Sequence, residues 1–288
     1  MLFITSVQWI SSSLVISHFK SIILQGALAP IIGLLSHVVN VEKLHLTLTS
    51  FPSDNIISLP RIVRNALPSI ENISPTALNH RVQFTIDTMQ TDRVLDFRLS
   101  IWTNASPVIS KDPFSRSPDI WLSFCPDNLA TTLTIAQQLS EQLSHYLVPA
   151  THARFRISGG CGRPGSEMLI LRYMAETLTH VTHIDLVLGD IRDLSSTNII
   201  AALPSLFMSP HSDTRTALFP KLMVLRIDAN MLLGCSRVQP LCAFFKSLHA
   251  VLANRYELGF KLQSLEFDAS RCINLPLTFD GADPLGFP

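Results

Sequence analysis

The sequence predicts an α/β solenoid with a curved parallel sheet on one side and helices on the other. Three observations carry this expectation. The segments KLMVLRIDAN, from Lys221, and KLQSLEFDAS, from Lys261, align after a shift of 261 − 221 = 40 positions. Alternation of apolar and polar residues, the mark of a strand with one buried face, recurs along the chain. Between the alternating stretches lie others whose apolar residues have helical spacing. Units of this size hold too little core to stand alone, so stacked neighbours must bury one another's apolar faces.

Residues 21–41 lie uncharged between Lys20 and Glu42, long enough to cross a bilayer as a helix. Gln25, Pro30, Ser36, His37 and Asn40 interrupt the run, and no Lys or Arg precedes Lys20. The expectation is therefore a buried helix pair, not a membrane span or a signal peptide. Strands follow in the patterns Val41-x-x-Leu44-x-Leu46, Val94-x-x-Phe97-x-Leu99 and His152-x-x-Phe155-x-Ile157. Val181-x-x-Ile184-x-Leu186, Leu222-x-x-Leu225-x-Ile227 and Leu262-x-x-Leu265-x-Phe267 continue the series. A helical stripe precedes each of the later strands: Ala136, Leu139, Leu143 and Leu147, then Met168, Leu171, Ala175 and Leu178. The last stripe, Leu241, Phe244, Phe245, Leu248, Val251 and Leu252, is followed by Gly259 as a stop. Residues 103–119, bearing several Pro and Ser, are expected to loop out. Residues 1–275 thus form one repeat domain, irregular over 1–120 and clearer over 121–275, and 276–288 form an extended tail.

Leu222-x-x-Leu225-x-Ile227-x-x-Asn230 resembles the strand motif of irregular leucine-rich repeats, including the Asn that such repeats use to bond the turn backbone. Ser270, Gly189 and Gly160 stand at the equivalent places elsewhere, so the asparagine ladder is not continued. The resemblance covers about 150–275. More narrowly, LFPKLMVLRIDANML and LCAFFKSLHAVLANR look like the repeat regions of fungal F-box-type proteins. In that family an N-terminal F-box joins a ubiquitin-ligase scaffold and the repeats capture a substrate. No recognisable F-box is present, and LPRIVRNALPS (59–69) has only a faint likeness to one. The resemblance implies a non-catalytic interaction module, the substrate-capturing part or a fragment of such an adaptor.

Composition narrows the choice. Lys+Arg and Asp+Glu both number 22, so there is no basic footprint for nucleic acid. Hydrophobic residues reach 47% against 15% charged, which implies that some surface meets a neighbour. The five cysteines are odd in number and contain no C-x-x-C, which fits a reducing compartment, cytoplasmic or nuclear.

The competing reading is enzymatic. Gly160-x-Gly162-x-x-Gly165 follows a strand and opens a helix, and Asp185 lies 185 − 160 = 25 residues on, so a small NAD(P)-dependent oxidoreductase is the alternative. Against it, a first dinucleotide-binding strand is buried on both faces, whereas Phe155 and Ile157 alternate with Arg154 and Arg156. Pro164 also removes a backbone donor from the loop. His180-x-x-His183 with Asp185 is the only metal-like spacing and lacks a further ligand, so neither metal nor cofactor is expected.

The residues between the buried strand positions should line one open face. His45, Arg98, Arg156, Asp185, Arg226 and Glu266 are expected in one row. Thr47, Ser100, Ser158, Val187, Asp228 and Asp268 should form the next. The candidate partner-binding residues are therefore Arg98, Arg156, Asp185, Arg226, Asp228, Glu266 and Asp268, a strip running from basic to acidic, suited to a protein of opposite polarity.

Overall fold

Alternation with a period of two decides the architecture, because it forces one face of every strand into an apolar layer. The computed structural model describes residues 16–17, 19–50, 58–68, 80–88, 95–103, 113–125, 129–158, 166–188, 207, 218–228 and 238–268. In chain order these form β1 (Ile16–Ser17), β2 (Ser21–Ala27), α1 (Leu28–Leu35), β3 (Val38–Val39) and β4 (Lys43–Ser50). Next come α2 (Leu59–Ala66), β5 (His80–Thr88), β6 (Leu95–Trp102), β7 (Ile120–Phe124), α3 (Leu129–Gln142) and α4 (Ser144–Leu147). The chain continues through β8 (Ala150–Ser158), α5 (Ser166–Thr177), β9 (His183–Leu188), β10 (Val224–Asp228), α6 (Val238–Glu257) and β11 (Ser264–Asp268).

Nine strands form one open sheet in the order β11-β10-β9-β8-β5-β6-β7-β4-β2, while β1 and β3 make a separate parallel pair. Every neighbouring pair in the large sheet is parallel except the two that involve β6. One apolar row crosses the sheet from Leu24 through Leu46, Leu122, Leu99, Phe84, Phe155, Leu186 and Ile227 to Phe267. Phe84 stacks on Phe155 at 5.4 Å between ring centroids. The helices cover this face: Leu28 and Leu35 of α1, Val63 of α2, Leu139 of α3, Leu171 of α5 and Leu248 of α6 all join the same buried cluster.

The structure corrects four expectations. Residues 21–41 are not a helix pair: β2 occupies the first seven positions and α1 follows. β-branched and apolar residues at alternate positions of Ser21–Ala27 suit a pleated strand better than a helix. The strand through Phe97 and Arg98 runs antiparallel to both neighbours, so it is no repeat of the others. β5, β6 and β7 form a meander inserted between β4 and β8, and no helix separates β6 from β7 among the described residues. Finally, Phe155 pairs with Leu186, a step of 186 − 155 = 31 residues, where the repeat pattern implied 181 − 152 = 29. Two residues of slip leave the faces unchanged but move Arg156 one row away from Asp185.

The glycine after α6 behaves as expected. Gly259 has φ +87 and Phe260 donates its N–H to the Arg255 carbonyl, the pattern of a Schellman cap. Arg255 itself lies buried at 1% exposure and donates to the carbonyls of Phe207, Leu218 and Phe219. Phe219 sits in the left-handed region at φ 54, a cost of about 1–2 kcal/mol for a residue with a Cβ. Its ring contacts Phe155 and Phe207, and the guanidinium holds its carbonyl in that strained turn. At the end of the sheet the apolar face is less covered: Leu265 and Phe267 of β11 are 40% and 43% exposed. No helix among the described residues is long and apolar enough to cross a membrane.

Leu225 is fully buried, whereas Arg226 points to the opposite face. Leu225→Ala should therefore cost about 2–5 kcal/mol in urea unfolding. Arg226→Ala should cost less, about 1 kcal/mol, through the loss of its cross-strand charge pairs. Arg255→Met strands three buried carbonyls and should destabilise by about 3 kcal/mol or more, read by the same titration.

Candidate functional site

The face of the sheet away from the helices carries the polar half of every alternating strand. One row runs from Ile23 through His45, Trp121, Ser100, Gln83, Arg154, Asp185 and Arg226 to Glu266. A second includes Gln25, Thr47, Ser123, Arg98, Thr85, Arg156 and Val187. Asp228 and Asp268 face each other at the β10–β11 edge.

Of the expected partner-binding residues, the structure brings Arg98 and Arg156 together, one on each side of Thr85. Asp185, Arg226 and Glu266 lie side by side in the other row, behind Arg154. Arg154 contacts Asp185 at 2.9 Å with both side chains 17% exposed, so charge alternates +, −, +, − across β8 to β11. Such cross-strand pairs stabilise by about 0.2–1 kcal/mol each and cancel one another's field. That row therefore contributes to cohesion of the sheet more than to outward charge. The basic-to-acidic trend survives in the second row, from Arg98 and Arg156 to Asp228 and Asp268.

Residues 113–119, expected to loop out, instead fold back across this face as a strap. Arg81 donates to the Pro113 carbonyl at 2.7 Å, and the Trp102 indole donates to the Arg116 carbonyl at 2.6 Å. The Phe114 ring packs edge-on against Trp102, and the Arg154 guanidinium lies over it at 4.2 Å. Asp119, only 5% exposed, accepts from the Thr103 N–H at 2.9 Å and pairs with Arg116 at 3.1 Å and Lys43 at 3.6 Å. Rigid aromatic and charged anchors at both ends pin this strap to the sheet.

Beneath it lies a cavity of about 330 Å³. Gln83, Thr85 and Ser100 from β5 and β6 supply its hydrogen-bonding groups. Trp102, Phe114 and Trp121 supply rings, and Arg98, Arg116 and Arg156 three guanidinium groups. Asp96, 3% exposed, pairs with Arg98 and accepts from Ser123, so it backs the arginine from β6 itself. The volume suits a small molecule or one side chain of a partner.

The residues expected to bind a partner did not include Trp102, Phe114, Trp121 or Asp119, nor Arg154, although its alternation with Phe155 placed it on the open face. A signal did exist for Trp121, which stands at an outward position of an alternating strand, where an aromatic ring has no core to fill. The glycine loop 160–165, Cys161, Asn230 and the tail 276–288 lie outside the described residues. His180 and His183 do not form a metal group with Asp185: among the described residues no three His, Cys, Asp or Glu side chains cluster so. His183 instead stacks on His152 at 4.3 Å.

Burial lowers the His152 pKa to about 4, aided by the positive charge of His183 and Arg81 beside it. His80, buried and bonded through Nδ1 to the Tyr146 carbonyl, is lowered for the same first reason. No family model, curated protein or solved structure matches this chain.

A histidine whose folded pKa is depressed binds its proton more readily in the unfolded chain. Stability from burying neutral His152 is thus complete above pH 6.5 and lost as pH falls toward 4, by at most about 3 kcal/mol. Urea unfolding at stepped pH should show this loss, and His152→Gln should reduce its slope. An unchanged slope in that variant would assign the loss to His80 and the carboxylates.

Proposed function

We propose that this chain is a non-catalytic protein-binding module that docks its partner on the polar face of the sheet. The observation that carries this is the separation of charge there: arginines gather on β6 and β8, aspartates on β10 and β11. Strands lie about 4.8 Å apart, so with β9 and β5 in between the two groups stand roughly 10–24 Å from each other, about 17 Å between their centres. A partner segment with an acidic and a basic group at that separation is complementary to both.

The parallel units β8 to β11, each reached through a helix where the connection is described, support a leucine-rich-repeat-like reading of this half. Through that likeness the module takes the part of the substrate-capturing region of an F-box-type adaptor, with the ubiquitin-ligase scaffold contacted by another segment. A protein in the cytoplasm or nucleus suits this role. The oxidoreductase alternative is weaker, since Arg154 and Arg156 lie on the polar face and β8 therefore lacks the second apolar face of a dinucleotide-binding strand.

Affinity purification from the native cell extract tests the docking face with three baits: wild type, Arg98→Glu with Arg156→Glu, and Asp228→Lys with Asp268→Lys. The expected outcome is a protein set kept by wild type and lost by both charge-reversed baits. An identical set on all three excludes this face. Thermal melting tests the alternative, since nicotinamide dinucleotide at 100 times its dissociation constant would add about 2.7 kcal/mol. We expect an unchanged melting temperature with NAD and with NADP.

A further inference from the structure

The geometry points to a second, independent binding role: the cavity under the 113–119 strap is a site for a small flat aromatic monocarboxylate. This goes beyond protein docking, because the ligand would sit between the sheet and Phe114 of the strap, although it shares Arg98 and Arg156 with the docking face.

Charge selects the headgroup. The cavity is lined by Arg98, Arg116 and Arg156 and by no acidic residue. Arg98 is paired with Asp96 and Arg116 with Asp119, and both aspartates are buried behind the arginines. Asp119 is shared between Arg116 and Lys43, so the two carboxylates leave a positive balance, most accessible at exposed Arg156, that an anion would offset. Arg98 and Arg156 project from strands on either side of β5, so their Cα atoms stand about 10 Å apart over Thr85. That gap admits one carboxylate with a guanidinium on each side, the arrangement in which planar, forked donors match its two oxygens. Thr85 and Ser100 offer hydroxyl donors below it.

Shape selects the body. Trp102, Phe114 and Trp121 all line the cavity, which leaves a ring-lined space for a flat apolar group. Trp102 and Phe114 are fixed by each other and by the Trp102 bond to the strap, so this part of the wall exists before any ligand arrives. The cavity volume of about 330 Å³ accommodates one or two fused rings. The same chemistry occurs in a free aromatic acid and in the C-terminal tryptophan or phenylalanine of a peptide.

Calorimetric titration of the full chain with 2-naphthoate tests the site, with 2-naphthalenemethanol, phenyl phosphate and an N-acetylated dipeptide ending in tryptophan beside it. Saturable binding of 2-naphthoate or of the dipeptide, tighter than both controls, is expected, and the stronger of the two identifies the source. Arg156→Gln, at an exposed position that leaves folding intact, should weaken binding about tenfold or more. Ser100→Tyr should abolish it by filling the space, with the far-ultraviolet spectrum and melting temperature checking that the chain remains folded. Equal binding of the neutral alcohol, tighter binding of phenyl phosphate, no effect of Arg156→Gln, or no heat with either carboxylate would each overturn the assignment.

Discussion

Everything in this protein depends on the sheet having one dry face and one wet face. The apolar row from Leu24 to Phe267 crosses all nine strands without a break in register, although one strand runs backwards. A slip of a single residue would exchange a strand's two faces, and in β5, β6, β8, β9, β10 or β11 it would place arginine or aspartate in the helix-covered layer, a cost far above any surface interaction described. The hydrophobic layer thus sets not only the fold but also where every polar side chain of the candidate site must point.

On the wet face the same constraint produces two different electrostatic outcomes. Where opposite charges fall in one row, as with Arg154, Asp185, Arg226 and Glu266, they neutralise one another and reinforce strand pairing. Where arginines fall together, as around Thr85, buried Asp96 and Asp119 offset only part of their charge. The strap then converts that partly balanced cluster into a half-open cavity, using aromatic contacts and the carbonyls of Pro113 and Arg116.

Much of this was legible in the chain. The paired segments from Lys221 and Lys261 do lie side by side, residue against residue from Val224 with Ser264 to Asp228 with Asp268, and Gly259 ends α6. Both rest on local signals, a repeated apolar spacing and a residue that tolerates positive φ. Direction was not legible, because alternation looks alike read forwards or backwards, and Phe97 gave no hint that β6 opposes its neighbours. Nor was the two-residue shift at Phe155, since either alignment keeps the same residues buried. The strap was invisible for another reason: its partners Arg81 and Trp102 are distant in sequence, and a segment rich in Pro and Ser signals only irregularity. Arg255 was hidden too, because its carbonyl partners lie about 40 residues upstream.

The reversed strand has a consequence for how the chain acquires its structure. In a pure array each unit can add to the one just completed, so order spreads between immediate neighbours. Here the side of β4 away from β2 stays open until β7 arrives, more than 70 residues later by the pairing of Leu44 with Ile120, since 120 − 44 = 76. As synthesis proceeds, the first two strands of the large sheet must wait for the meander, whereas β9, β10 and β11 can each settle on a finished edge. The amino-terminal strands are therefore held until the meander closes on them, and from there the sheet grows one way only, from β5 toward β11.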